Sequence, residues 1–191
     1  MVKLNKIYTR TGDAGETGLV DGSRVSKAAP LMAAIGDVDE ANSAIGVALL
    51  QVNDARLAEM LGRIQNELFD LGADLATPGD DFSPGEMSLR IVADQIGRLE
   101  REIDLMNEAL SPLTSFILPG GGGGAAALHL ARAIARRAER SAIAAGGAMR
   151  LNTLALTYLN RLSDHLFVAA RFAALGGGGD VLWKPGGTRT S

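Results

Sequence analysis

Cysteine is absent from the chain. That excludes disulfides, thiolate zinc sites and a cysteine nucleophile, and it makes a reducing cytoplasm the expected compartment. Aromatic side chains are scarce, at 4% of a sequence that is 47% hydrophobic. The core must then be built from Ala, Leu, Ile and Val, which favours closely packed helices over a β-sandwich. An excess of basic charge is missing too: the net charge is −3, which argues against nucleic acid as the main partner, since such proteins display a broad basic surface. No apolar run approaches the roughly 18 residues of a membrane span, and the first residues, MVKLNKIYTR, lack the apolar core of a signal peptide. The length of 191 residues suits one domain with a proper core.

Positive charge is local. Residues 116–142, FILPGGGGGAAALHLARAIARRAERSA, join a short apolar run, a proline and five glycines to a helix with four arginines in nine positions. Glycines let the backbone approach a ligand closely, and the first turn of the following helix offers N–H groups that suit an anion. Arg132, Arg136 and Glu139 stand at i, i+4 and i+7 on one face, Arg140 lies four beyond Arg136, and Arg137 points elsewhere. Like charges at that spacing cost only ~0.2 to 0.5 kcal/mol, whereas a hydrogen bond from a charged donor contributes ~1.5 to 3 kcal/mol. A bound polyanion would more than offset the crowding. The same arginines also fit ion pairs with neighbouring helices or a solvated face.

Residues 1–26 show neither helical nor strand periodicity and carry Gly12, Gly15, Gly18 and Gly22, which reads as an ordered loop or, by composition, a flexible tail. Yet Thr9, Arg10, Thr11, Asp13, Thr17 and Lys27 are also the hydroxyls, cations and carboxylate that a loop around a phosphate and Mg²⁺ would use. From 27 to 175 apolar stripes predict five helices: 28–52 through Leu31, Ile35, Val38, Ile45 and Leu49; 56–75; one bearing Leu89 to Leu110; one from the glycines to about Ala145; and 151–175. Asn42 interrupts the first stripe, and Asp39 lies mid-helix beside it. Short links between long helices predict an all-α, antiparallel five-helix bundle of ferritin-like type in a single domain. Residues 176–191 read as a loosely held tail.

Familiar motifs fail. GGGGGAA satisfies G-x-G-x-x-A trivially, but no alternating strands and helices accompany it, and neither a Walker loop nor G-x-S-x-G is present. A di-iron bundle places Glu three residues before each ligating His. Here Ala126 and Leu162 precede His129 and His165 at that spacing. His129 shares the arginine face, yet a lone helical histidine is an ordinary packed residue and is given no catalytic role.

With these residues laid out, the chain resembles the PduO-type ATP:cob(I)alamin adenosyltransferases. Four blocks carry the resemblance in order: KIYTRTGDAGETGL at 6–19, GDVDEANSAIG at 36–46, FILPGGGGGAAALHLARAIARRAER at 116–140 and LNRLSDHLFVAAR at 159–171. The resemblance implies a homotrimer of five-helix bundles with active sites between subunits. It assigns ATP and Mg²⁺ to Thr9, Arg10, Gly12, Asp13, Gly15, Thr17 and Lys27, with the metal held mainly through the phosphates. Arg136, Glu139 and Asn160 of the neighbouring subunit would join them. Asp39 would pair with Arg132 across the interface, Phe116 would press on the lower face of the corrin ring, and Asp164 would support the site. Relatives often carry Ser or Thr where this chain has Gly122, so a hydroxyl contact is missing there and the loop is expected to be more mobile.

The implied reaction is attack by Co(I) on C5′ of ATP with release of triphosphate. Co(I) is so strong a nucleophile that no general base is needed, which suits a chain with two histidines and no cysteine. A flavoprotein electron donor and an adenosylcobalamin-dependent enzyme would be the partners. The competing class is a bundle that binds ATP or a corrinoid without turning either over.

Overall fold

The computed structural model describes residues 8, 10–85 and 88–189; Thr9 lies outside them. Its five helices are α1 Pro30–Leu49, α2 Ala55–Leu75, α3 Ala93–Asn107, α4 Ala125–Gly146 and α5 Thr153–Ala174. Pro30 opens α1, where its missing N–H costs nothing. Asp54 and Asn152 cap α2 and α5 by accepting hydrogen bonds from the Leu57 and Leu154 N–H groups. α3 is shorter than its apolar stripe predicts, because residues just before it are held in another geometry. Arg90 donates to Asp74 Oδ1 at 2.7 Å and to the Thr77 and Asp81 carbonyls, while Ile91 N–H and Asn152 Nδ2 donate to Asp74 Oδ2. The cluster fixes the link between α2 and α3 to the start of α5.

α1 packs most extensively on α4, α4 on α5, and α3 on α5. Side-chain pairs give the directions. Asp37 of α1 meets Arg137 and Ser141 of α4, while Ala48 at the far end of α1 lies against Gly124 before α4, so the two run antiparallel. Arg63 and Glu67 of α2 meet Glu102 and Arg98 of α3 in the same antiparallel sense. Both helices of the α1–α4 pair carry fully buried alanines, among them Ala34, Ala41 and Ala48 on α1 and Ala131, Ala135 and Ala138 on α4. Methyl groups let the axes approach closely, so a core poor in aromatics still packs densely.

Tyr158 is the large exception, fully buried with its hydroxyl donating to Glu67. Burial, then the adjacent Glu67 charge, pushes its pKa well above the usual phenol value. Burial opposes ionisation of Glu102, but hydrogen bonds from His165 and Arg63 outweigh it and lower its pKa. Asn42, which breaks the α1 stripe, is buried because it exchanges hydrogen bonds with Gln65 of α2.

The five glycines before α4 are needed by the chain itself. Gly123 and Gly124 have φ of +62° and +88°, and a Cβ at Gly123 would stand 2.5 Å from the Ala173 carbonyl oxygen of α5. The left-handed backbone alone costs an L-residue roughly 1 to 2 kcal/mol. A Cβ on Gly122 would come within 3.0 Å of Gly177 Cα. Lack of a side chain at 122 is thus matched to a glycine across from it, and the loop is wedged against the end of α5 rather than free.

Residues 16–26 and 176–189 also differ from expectation. Glu16–Gly18 (β1) and Arg24–Ser26 (β2) form an antiparallel hairpin, closed where Asp21 Oδ1 accepts from Ser23 N–H and Oγ–H. The C-terminal residues, read as a loose tail, turn through Leu175–Gly177 and return along 115–118, with Ile117 bridged to Leu182. Among the described residues no helix is long and apolar enough to cross a membrane.

Candidate functional site

α4 and α5 together present the arginine face. Arg132 is half-buried, its guanidinium carbon 5.8 Å from the centroid of Phe167 on α5, and its Nε is enclosed without a hydrogen-bond partner. Burial, then the neighbouring Arg136, lowers its pKa from the usual guanidinium value. Arg136 is exposed and its side chain makes no ion pair among the described residues; its carbonyl accepts from Arg140 Nη1. Asn160 Nδ2 donates to Glu139 Oε1 at 2.9 Å, so these two predicted residues are joined across α4 and α5. Asp164 instead accepts from Arg161, which also holds Glu100 of α3. As expected, Arg137 leaves the face and pairs with Asp37 and Glu40 of α1.

Beside Arg132 opens a cavity of about 610 Å³ lined by Leu113, Phe116, Ile117 and Phe167. Phe116 is 77% exposed, which an ordinary core aromatic would not be. Its ring stands at the mouth of an apolar hollow with one cation on its rim. His129, one turn before Arg132, is buried edge-on to Phe167 with Nδ1 unpartnered. Burial, then Arg132, lowers its pKa, which favours the neutral ring.

The N-terminal residues form a second cluster. Gly15 N–H donates to the Gly12 carbonyl, and Lys27 N–H donates to the Gly15 carbonyl at 2.8 Å. A Cβ on Gly12 would lie 3.0 Å from Lys27 Nζ. The fold thus brings Gly12, Gly15 and Lys27 together, with Asp13 exposed at the turn and Thr17 half-buried on β1. Arg10 has φ of +64° and lies over the Tyr8 ring. Arg24 is a member that sequence reasoning missed: its Nη2 donates to the Thr11 carbonyl and its Nε to Glu16. The Asp21-Gly22 pair marks a turn near it, but strands of three residues are too short for the sequence to show the hairpin that this turn closes.

Asp39 is exposed on α1, lining a groove with Ile35 and Phe69, and Phe69 is 71% exposed. Among the described residues neither Asp39 nor Arg132 has an ion-pair partner within the chain. Among them, too, no three His, Cys, Asp or Glu side chains converge where a metal ion would bind.

A family model described as cobalamin adenosyltransferase matches residues 7–173. The corrinoid adenosyltransferase of Mycobacterium leprae is 52% identical over 191 residues, covering 97% of this chain and 99% of its own length. The cobalamin adenosyltransferase of Cupriavidus metallidurans is 48% identical over 186 residues, covering 95% and 96%. A variant of the PduO-type ATP:corrinoid adenosyltransferase from Lactobacillus reuteri, solved complexed with cobalamin and ATP, superposes with a TM-score of 0.84 at 38% identity, over 94% of this chain and 99% of that one. Sequence, fold and full-length coverage coincide, and the chain belongs to the cobalamin adenosyltransferase family.

Proposed function

We propose that the chain transfers the 5′-deoxyadenosyl group of ATP to Co(I) of reduced cobalamin, releasing triphosphate, as a homotrimer with active sites between subunits. The observation that carries this reading is a mismatch within one chain: among the described residues Arg132 and Arg136 have no anionic partner on one face, and Asp39 has no cationic one on another. Two copies side by side would satisfy both. The substrates are those of the L. reuteri enzyme, described with cobalamin and ATP.

In the reaction a Co–C5′ bond forms as the C5′–O bond breaks, its electron pair leaving with triphosphate while Co(I) becomes formally Co(III). The protein then has two tasks, alignment and neutralisation of the departing charge. Thr9, Arg10, Gly12, Asp13, Gly15, Thr17 and Lys27 of one protomer would cradle the triphosphate, with Arg136, Glu139 and Asn160 of the next closing over it. Among the described residues no three His, Cys, Asp or Glu side chains converge; Mg²⁺ would be held mainly through the ATP phosphates and would add charge neutralisation there. Phe116 would close the lower face of the corrin and exclude water, favouring a four-coordinate Co(II) that takes an electron readily. Asp164 would steady this end of α5 through Arg161. A flavoprotein would supply the electrons and an adenosylcobalamin-dependent enzyme would receive the product.

The direct test follows the visible spectrum of reduced cobalamin mixed with the protein, ATP and Mg²⁺. Conversion to adenosylcobalamin with stoichiometric triphosphate is expected. Binding without spectral conversion would leave only a carrier. Asp39→Asn tests the assembly: it strands the Arg132 guanidinium at the interface, where loss of one partner of a buried pair costs about 2 kcal/mol or more. Sedimentation should show a weakened trimer and assays a parallel loss of turnover; an unchanged oligomer with unchanged kinetics would refute the cross-subunit pair.

A further inference from the structure

The C-terminal residues lie against the segment that carries Phe116. Trp183 N–H donates to the Phe116 carbonyl at 2.8 Å, Leu118 N–H donates to the Val181 carbonyl at 2.8 Å, and Ser115 Oγ–H donates to the Trp183 carbonyl at 2.8 Å. The indole meets the Phe116 ring edge-on, with centroids 5.9 Å apart and planes at 63°. One residue before Val181, Asp180 accepts from Arg171 Nε at 3.0 Å, and Arg171 Nη2 donates to the Ser111 carbonyl at 2.8 Å. Arg171 itself is buried. A single guanidinium therefore ties the start of the 111–118 segment to the start of the returning strand.

This matters because little else restrains Phe116. It lies outside any helix, is 77% exposed, and among the described residues its ring stacks on no aromatic but Trp183. A side chain that must hold one position under a flat ligand needs its rotamer fixed by a neighbour. We propose that Trp183 is a positioning residue for the reaction: its indole sets the Phe116 ring against the corrin, so that the C-terminal segment governs how completely the lower face of cobalt is closed. The inference rests on the role given above to Phe116. It assigns Trp183 no contact with ATP.

Trp183→Ala keeps the three main-chain and hydroxyl hydrogen bonds possible and removes the edge-on ring contact, whose worth corresponds to about a two- to tenfold effect. With the full chain, ATP and cob(II)alamin, electron paramagnetic resonance should show a smaller four-coordinate fraction, and turnover from cob(II)alamin with a reductant should fall about two- to tenfold. Turnover from chemically prepared cob(I)alamin should be the less affected of the two routes. Trp183→Phe, which keeps an edge for the contact, should recover most of the signal. Adding Trp183→Ala to Phe116→Ala should cost nothing further, since one acts through the other.

Equal slowing of both routes together with a lowered melting temperature would make Trp183 merely structural and overturn the proposal. So would additive effects in the double variant, or a wild-type four-coordinate signal in Trp183→Ala while Phe116→Ala has lost it. A Phe116→Ala chain with an intact signal would instead overturn the reading of Phe116 beneath it.

Discussion

Arg136→Ala lowers the rate of adenosyl transfer by about 10²- to 10³-fold while the thermal melt stays that of the parent chain. The two halves of that expectation have separate grounds. The Arg136 side chain is exposed and holds no ion pair among the described residues, and the hydrogen bond at this position uses its carbonyl, which alanine retains. Surface truncations of that kind change stability within about 0.5 kcal/mol. In the proposed reaction the guanidinium would nevertheless face the charge that builds on the departing triphosphate. Removing one preorganised donor to such developing charge costs roughly 2.7 to 4 kcal/mol of transition-state stabilisation. Because the demand grows as the C5′–O bond breaks, kcat should fall more than the apparent affinity for ATP. Steady-state kinetics alongside a melt by circular dichroism decide the matter. Parental turnover would remove Arg136 from the site, and a collapsed melt would mean that its contribution is structural.

The arginine face was legible because a helix fixes its own geometry: spacing of 132, 136 and 139 settles which side chains share a side before any tertiary contact is known. The same holds for the five helices, whose stripes need only local sequence. Elements that depend on distant partners were not legible. β1 and β2 are three residues each, too short for alternation to stand out among four glycines. Val181 and Leu182 follow a run of glycines that reads as a break, and nothing local announces that they return to residues 117 and 118. Glycines 120–124 declared their freedom in the sequence but not its use: Gly123 is required by the Ala173 carbonyl fifty residues on, a contact that exists only once α4 and α5 have packed. Asp39 is the opposite case. Its role as proposed needs a second subunit, so the residues of a single chain do not supply its partner: among the described ones Asp39 is exposed and has no ion pair.

Phe116→Ala should separate reduction of cobalt from transfer of the adenosyl group. Covering a phenyl ring completely is worth about 1.5 to 3 kcal/mol, and each 1.36 kcal/mol is tenfold in rate. If that covering is achieved against the lower corrin face, its loss slows turnover from cob(II)alamin by about 10- to 100-fold. The site would then admit water as a fifth ligand, and a five-coordinate Co(II) resists the electron. Once Co(I) is made, the nucleophile is a filled orbital on the opposite face and the phenyl ring no longer matters greatly, so the route from pre-reduced cobalamin should keep most of its rate. ATP affinity should be unchanged, because the N-terminal residues Gly12, Gly15 and Lys27 are organised by their own hydrogen bonds and not by the 111–118 segment. Stability should change little too, since Phe116 is 77% exposed in the single chain. Both routes measured on one preparation give the answer. Equal rates from cob(II)alamin in the variant and its parent would mean that the ring does nothing for the reduction, and equal losses on both routes would mean that it only shapes the binding hollow.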